Sequence, residues 1–194
     1  MTAVTTAVAC LLLAIAGSAN PQELTTARPS SWAQPLQETG FPNLFKVSDT
    51  LYRSAQPTDE ALRSVKDLGI VTVINLRAFH SDRDALDPGV GYEHIDMKTW
   101  HPEWEDAVRF LAIVSDPERT PVLLHCKHGA DRTGAMTAIY RIAVQGWSKD
   151  EAIREMTEGG YAFHSIWGNL PKWIYDLDVD ALRMDAGLEQ SYRF

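Results

Sequence analysis

Cysteine is nearly absent. The 194-residue chain has two, Cys10 and Cys126. The only cluster near either, His125, Cys126 and His128, matches no common zinc spacing and has no second Cys/His pair beside it, so no metal is expected. Long apolar runs are also missing. The main one, residues 7–16, is too short for a usual membrane span, which leaves no expected stable membrane anchor. Positive charge is in deficit, with 18 Lys and Arg against 26 Asp and Glu and a net charge of −8. That balance argues against bulk binding to nucleic acid or acidic membranes, although a local positive field on an acidic protein still admits an anionic substrate. Internal repeats are absent too.

What is present suits one globular domain: 45% apolar residues and 23% charged. Residues 7–16 have the length of a signal-peptide h-region, and the small residues Gly17, Ser18 and Ala19 follow. Residues 1–19 are therefore expected to be a signal peptide cleaved after Ala19, although the n-region has no Lys or Arg. If the signal is not functional, the chain is cytoplasmic. Cleavage would leave Cys126 as the lone cysteine, without a disulfide partner and open to oxidation. Residues 20–40, rich in Pro, Ser, Thr and Gln, read as a linker or poorly ordered arm. The domain is expected over 41–194.

The informative stretch is residues 121–134. An apolar run ends at Cys126, Gly129 follows, and a helical pattern starts after Arg132. Five residues separate Cys126 from Arg132. A loop of that length can curl its backbone N–H groups toward one centre and run into a helix N-terminus, which binds an anion. Arg132 adds a planar fork for two phosphate oxygens. The same field favours the Cys126 thiolate, and a thiolate beneath a bound phosphate is a nucleophile aimed at phosphorus. The layout predicts phosphoryl transfer through a phosphocysteine, then hydrolysis.

His125, Cys126, Lys127, His128, Gly129, Ala130, Asp131, Arg132 and Thr133 resemble the His-Cys-x5-Arg-(Ser/Thr) signature of cysteine-based protein tyrosine phosphatases, and Thr133-Gly134 resembles the dual-specificity branch. The run 43–57 is similar to the entry segment of bacterial relatives, a periplasmic group among them, which together with the signal implies export to a bacterial periplasm. The resemblance implies a mostly parallel central sheet flanked by helices, no cofactor, and a phosphorylated protein as substrate. It casts Cys126 as nucleophile and residues 127–132 as the phosphate cradle. Thr133 would donate to the thiolate, and His125 would orient the loop.

The rest of the chain agrees with that α/β class. Residues 44–47 and 50–53 suit a hairpin, and Arg53 either faces the phosphate site or makes a structural ion pair. Thr58 caps a helix ended by Gly69, and a β-branched run from Ile70 reads as a buried strand. Residues 78–91 form a polar loop, either a substrate-facing rim or a solvated connection. Strand 91–97 and helix 103–114 follow. Ser148 and Glu151 have capping-box spacing. Helices dominate after residue 145.

The leaving oxygen needs an acid. The Trp-Pro-Asp loop of larger tyrosine phosphatases is lacking. Asp96 lies thirty residues before Cys126, in a setting that resembles mitochondrial phosphatidylglycerophosphate phosphatases, and is the leading candidate. Glu103, Glu105, Asp106 and His101 are alternatives. Phosphotyrosine, with tolerance for phosphoserine and phosphothreonine, is the default substrate. Lys127 also occurs in phosphoinositide phosphatases, and His128-Gly129 resembles RNA 5′-triphosphatases. Asp131 opposes highly phosphorylated ligands, and the acidic balance opposes RNA. A non-catalytic phosphate-binding module is the reading from another class.

Overall fold

The computed structural model of the protein describes residues 28–188. The expected signal peptide, residues 1–19, lies outside them, as do residues 20–27 of the expected arm. Six strands form one sheet: β1 (Gln34–Pro35), β2 (Phe45–Lys46), β3 (Leu51–Ser54), β4 (Thr72–Asn75), β5 (Gly91–His94) and β6 (Val122–His125). Their order is β1-β2-β3-β6-β4-β5. The first three are antiparallel; β3 with β6, β6 with β4, and β4 with β5 are parallel.

Every residue of β4 and β6 is buried, which is why both read as apolar or β-branched runs rather than as alternating ones. Side-chain alternation splits them between two cores. Val73 and Leu123 face a smaller one with Phe41, Leu62 and Val65, under helix α1 (Asp59–Arg63). Ile74, Val122 and Leu124 face the larger one with Phe110, Leu111 and Ile139. Its helices are α2 (Trp104–Val114), α3 (Asp131–Ala143), α4 (Lys149–Glu158), α5 (Asn169–Asp176) and α6 (Val179–Asp185). Ser54 of β3 and Asn75 of β4 both pair with His125 of β6, so the three strands end at one level. A crevice at the carboxyl ends of parallel strands follows from that register.

The caps are those the sequence predicts at Thr58 and at Ser148 with Glu151. A second capping box, not anticipated, starts α2: Glu103 is its N-cap and Asp106 its reciprocal partner. Both are thereby occupied by backbone amides.

The expected arm is corrected from Arg28 onward. Residues 28–36 belong to the domain, because their polar groups find buried partners far along the chain. Arg28 donates to the Gly159 carbonyl at 2.5 Å and to the Tyr161 hydroxyl at 2.5 Å. The Ala33 N–H donates to Glu155 at 2.6 Å, and β1 adds the sheet's edge. Glu155 is the hub of this corner. It takes a two-pronged bond from buried Arg141, at 2.7 and 2.9 Å, and a third from the Tyr161 hydroxyl.

The polar loop 78–91 is anchored as well. Asp82 is buried and accepts from His125 Nε2 at 2.9 Å, from the Asn75 amide at 2.7 Å and from the Gln56 amide at 2.7 Å. Burial alone raises its carboxyl pKa, but the bonds and charge of His125, with Gln56 and His80, outweigh it and hold the group below the usual carboxylate range.

Two outcomes are expected. Glu155→Gln leaves Arg141 buried without a countercharge and lowers unfolding free energy by about 3–5 kcal/mol in urea titration. Asp82 has a depressed folded pKa, so its contribution is full above its unfolded pKa and is lost as pH falls through the folded value. Asp82→Asn therefore costs about 1.5–3 kcal/mol at neutral pH, and the gap to the parent narrows as urea titrations move into the acid range.

Candidate active site

The phosphate loop of residues 126–131 leaves the end of β6 and enters α3, as the sequence predicts. Cys126 is 2% exposed at the loop's base, and Lys127 and His128 are on its exposed rim. Three successive loop carbonyls are held from outside by the entry segment. The Gln56 N–H donates to the Lys127 carbonyl at 3.3 Å, the Asn43 amide to that of His128 at 3.0 Å, and buried Arg53 to that of Gly129 at 2.6 Å. A trans peptide points its N–H opposite its C=O. The amides of His128, Gly129 and Ala130 consequently turn inward, which makes an anion nest above the α3 N-terminus.

Gly129 is obligatory here. Its φ is +68°, and a Cβ would lie 2.5 Å from the Ala55 nitrogen and 2.6 Å from the Ser54 carbonyl carbon. The loop is thus pressed onto the end of β3.

Arg53 lies wholly inside the protein, its guanidinium 3.6 Å from the centre of the Tyr161 ring. Burial lowers its pKa to about 10, against the pull of Tyr161, Glu155 and Cys126, so it stays charged at neutral pH. Its Nε and Nη1 have no hydrogen-bond partner. The same burial pushes the Tyr161 phenol up to about 12. From sequence, Arg53 is expected to face the phosphate or to make an ion pair; its contact is instead a hydrogen bond to the Gly129 carbonyl, which supports the loop.

Arg132 is half-buried and donates to the carbonyls of Leu76 at 2.9 Å and Met97 at 3.4 Å, at the ends of the β4 and β5 segments. It lines a cleft of about 240 Å³ with Lys127, Arg77, Ala78, Phe79, Met97, Thr99 and Trp100. Two larger clefts lie beside the N-terminal segment, and neither includes Lys127 or Arg132 of the phosphate loop. The small cleft is therefore the one that matters to the chemistry. Phe79 and Trp100 are 92% and 62% exposed, an unusual surface for large aromatic rings. The Asn169 amide steadies the Thr99 carbonyl at 2.8 Å.

The remaining expected site residues are distributed as follows. His125 is buried and committed through Nε2 to Asp82. Ala130 is buried, and Asp131 opens α3 with its carboxylate on His164. Thr133 is buried, and its hydroxyl has no partner, Cys126 included. Asp96 is exposed between buried Ile95 and Met97 and is outside the cleft lining. Its charge helps raise the pKa of Asp106, where burial is the larger cause.

Sequence reasoning did not single out Arg77, Phe79 and Trp100 as cleft walls, or Asp82 as the partner of His125. The place of Arg77 at a strand end was a usable signal, since parallel strands open their crevice there. Asp82 gave none, because an acid in a polar loop reads as solvated.

The chain resembles known proteins along most of its length. A family model described as "DSP-PTPase phosphatase fused to NAD+ kinase" matches residues 37–166. The dual specificity protein phosphatase TpbA of Pseudomonas aeruginosa is 32% identical over 174 residues, covering 88% of this chain and 78% of that protein. Its crystal structure superposes with a TM-score of 0.72 at 33% identity, over 82% of this chain and 99% of that one, and a cysteine-to-serine form has been solved with phosphotyrosine. The inositol diphosphatase DSP5 of Arabidopsis thaliana is 27% identical over 124 residues, covering 59% of this chain and 60% of that one. The core of the PP-IP phosphatase SIW14 from S. cerevisiae shares the fold, with a TM-score of 0.68 at 21% identity over 81% of this chain and 99% of that one. The strand–loop–helix around Cys126, the mixed sheet and these matches agree: the chain belongs to the dual-specificity branch of the cysteine-dependent protein tyrosine phosphatases.

Proposed function

We propose that the protein hydrolyses phosphotyrosine in protein substrates through a phosphocysteine on Cys126. The observation that carries this reading is the cleft itself. Three cations, Arg77, Lys127 and Arg132, stand beside two exposed aromatic walls, Phe79 and Trp100. Cations suit a phosphate, and flat apolar rings suit the phenyl group that bears it. The phosphotyrosine complex of the Pseudomonas relative supports the same substrate.

In this mechanism the inward amides of residues 127–132 and the Arg132 fork hold the equatorial oxygens, and their hold strengthens as charge develops there. The Cys126 thiolate attacks phosphorus, favoured by the helix N-terminus and by the buried charge of Arg53. The free hydroxyl of Thr133 turns to the sulfur as it leaves in the second step. His125 orients the loop and, with Nε2 on Asp82, is not a base. Asp96 protonates the tyrosyl oxygen and then takes a proton from water. Because Asp96 is outside the cleft lining, this role requires the segment 96–101 to close over bound substrate.

A second reading, an inositol phosphate as substrate, is favoured by the likeness to the plant inositol diphosphatase. The Asp131 carboxylate at the loop opposes it. We also propose export to a bacterial periplasm, on the strength of residues 1–19. N-terminal sequencing of the mature chain from a periplasmic fraction should begin at Asn20, and an intact Met1 in the cytoplasmic fraction would refute it.

Cys126→Ser should lower hydrolysis of phosphotyrosyl peptide by about a thousandfold or more while leaving peptide binding intact. A protein that binds the peptide but shows no turnover between pH 5 and 7 in either form is a binding module instead. Asp96→Asn should cost about a hundredfold on alkyl phosphates and far less on nitrophenyl phosphate. Equal rates for parent and variant on alkyl phosphates would move the acid role elsewhere. Trp100→Ala should reduce kcat/KM about tenfold on phosphotyrosyl peptide and little on inositol polyphosphates. The opposite ranking in that panel would favour the inositol phosphate reading.

A further inference from the structure

Three side chains with metal-ligand chemistry converge at the start of α3, on the side of the phosphate loop that faces His164. Asp131, 6% exposed, accepts from the His164 N–H at 2.9 Å and meets His164 Nδ1 at 2.9 Å through one oxygen and 3.1 Å through the other. His128 brings its ring to the same place, with its centroid 5.3 Å from that of His164 and the planes tilted by 55°. One donor atom from each of the three residues lies within 4.8 Å of the other two. An ion pair between Asp131 and His164 is enough to fasten the 161–165 segment to the helix. A third side chain, the His128 ring, brought over it is what a metal needs and a fastening does not.

We propose that His128, Asp131 and His164 bind a divalent transition-metal ion of the zinc class. Two imidazoles and one carboxylate are a donor set for Zn²⁺ or Co²⁺, whereas Mg²⁺ and Ca²⁺ favour oxygen ligands alone. Bonds of about 2.0–2.2 Å in tetrahedral array place donors about 3.4 Å apart. The present spacing reaches that by rotation of two exposed imidazoles, because the buried Asp131 is already fixed. His164 then carries its proton on Nε2 and gives the Nδ1 lone pair to the metal. Exposure of both histidines leaves a coordination position open to water. The α3 N-terminus and nearby Lys127 oppose a cation, so the site relies on ligand bonds rather than on field. The metal would take the side chains of His128 and Asp131, whereas the phosphate is held by the backbone amides of the same loop, so the test reads metal binding without turnover.

The test uses the untagged full chain carrying Cys126→Ser, which removes the thiolate as a competing ligand. Co²⁺ titration followed by visible absorption should show one saturable equivalent with the intensity of a four- or five-coordinate ion, and Zn²⁺ should displace it. His128→Ala and His164→Ala, added singly, should each weaken binding by about tenfold or more. Asp131→Asn should do the same, with circular dichroism confirming that the fold is kept. His128→Ala removes an exposed ring, whereas His164→Ala also removes the Asp131 ion pair, so circular dichroism is applied to it as well. Absence of saturable Co²⁺ binding, or binding that His164→Ala leaves unchanged, overturns the site.

Discussion

The hydrogen bond from Arg53 to the Gly129 carbonyl is the constraint on which the catalytic end depends. It joins the end of β3 to the middle of the phosphate loop at a point where only glycine fits. With that carbonyl tied outward, and those of Lys127 and His128 tied by Gln56 and Asn43, the loop's donors have one direction left. An anion site is thus built by fixing acceptors on the outside.

A buried guanidinium is costly in isolation, and the structure answers that cost with a graded series of contacts. The Tyr161 ring lies under Arg53, the Tyr161 hydroxyl donates to Glu155, and Glu155 pairs with Arg141. Arg28, from the N-terminal segment, shares the Tyr161 ring at 5.1 Å from its centre, and its like charge opposes that of Arg53. The Arg53 charge is therefore favoured by Tyr161, Glu155 and Cys126 against the cost of burial. On the other side, Asp82 fixes His125 and links the β6 end to the 78–91 loop.

Local chemistry made most of this legible in sequence. The Cys126–Arg132 spacing, the glycine between them, the capping residues Thr58 and Ser148, and the buried runs of β4 and β6 each have a cause within a few positions of themselves. What escaped was carried by partners far away. Residues 28–36 look like linker because their composition is polar, yet their partners are Glu155, Gly159 and Tyr161. Asp82 looks solvated because nothing in its neighbourhood foretells His125. The role of Arg53 is not legible in sequence because its partner, the Gly129 carbonyl, is 76 residues on. Phe79 and Trp100 have no periodicity to expose them as walls, since both sit in irregular segments after strand ends.

The Arg28 contacts carry a kinetic meaning. The beginning of the described chain closes on residues 159 and 161, and the phosphate loop leans on Arg53, which leans in turn on Tyr161. Contacts so distant in sequence form late and slow a fold's completion. A chain growing from its N-terminus has made Cys126 and Arg132 well before Tyr161 emerges. Until then Arg53 lacks the ring it rests on, and Arg28 and Ala33 lack their acceptors. The nascent chain therefore carries its nucleophile without the scaffold that aims it, and the thiolate gains its full environment only once the final third of the domain has been synthesised.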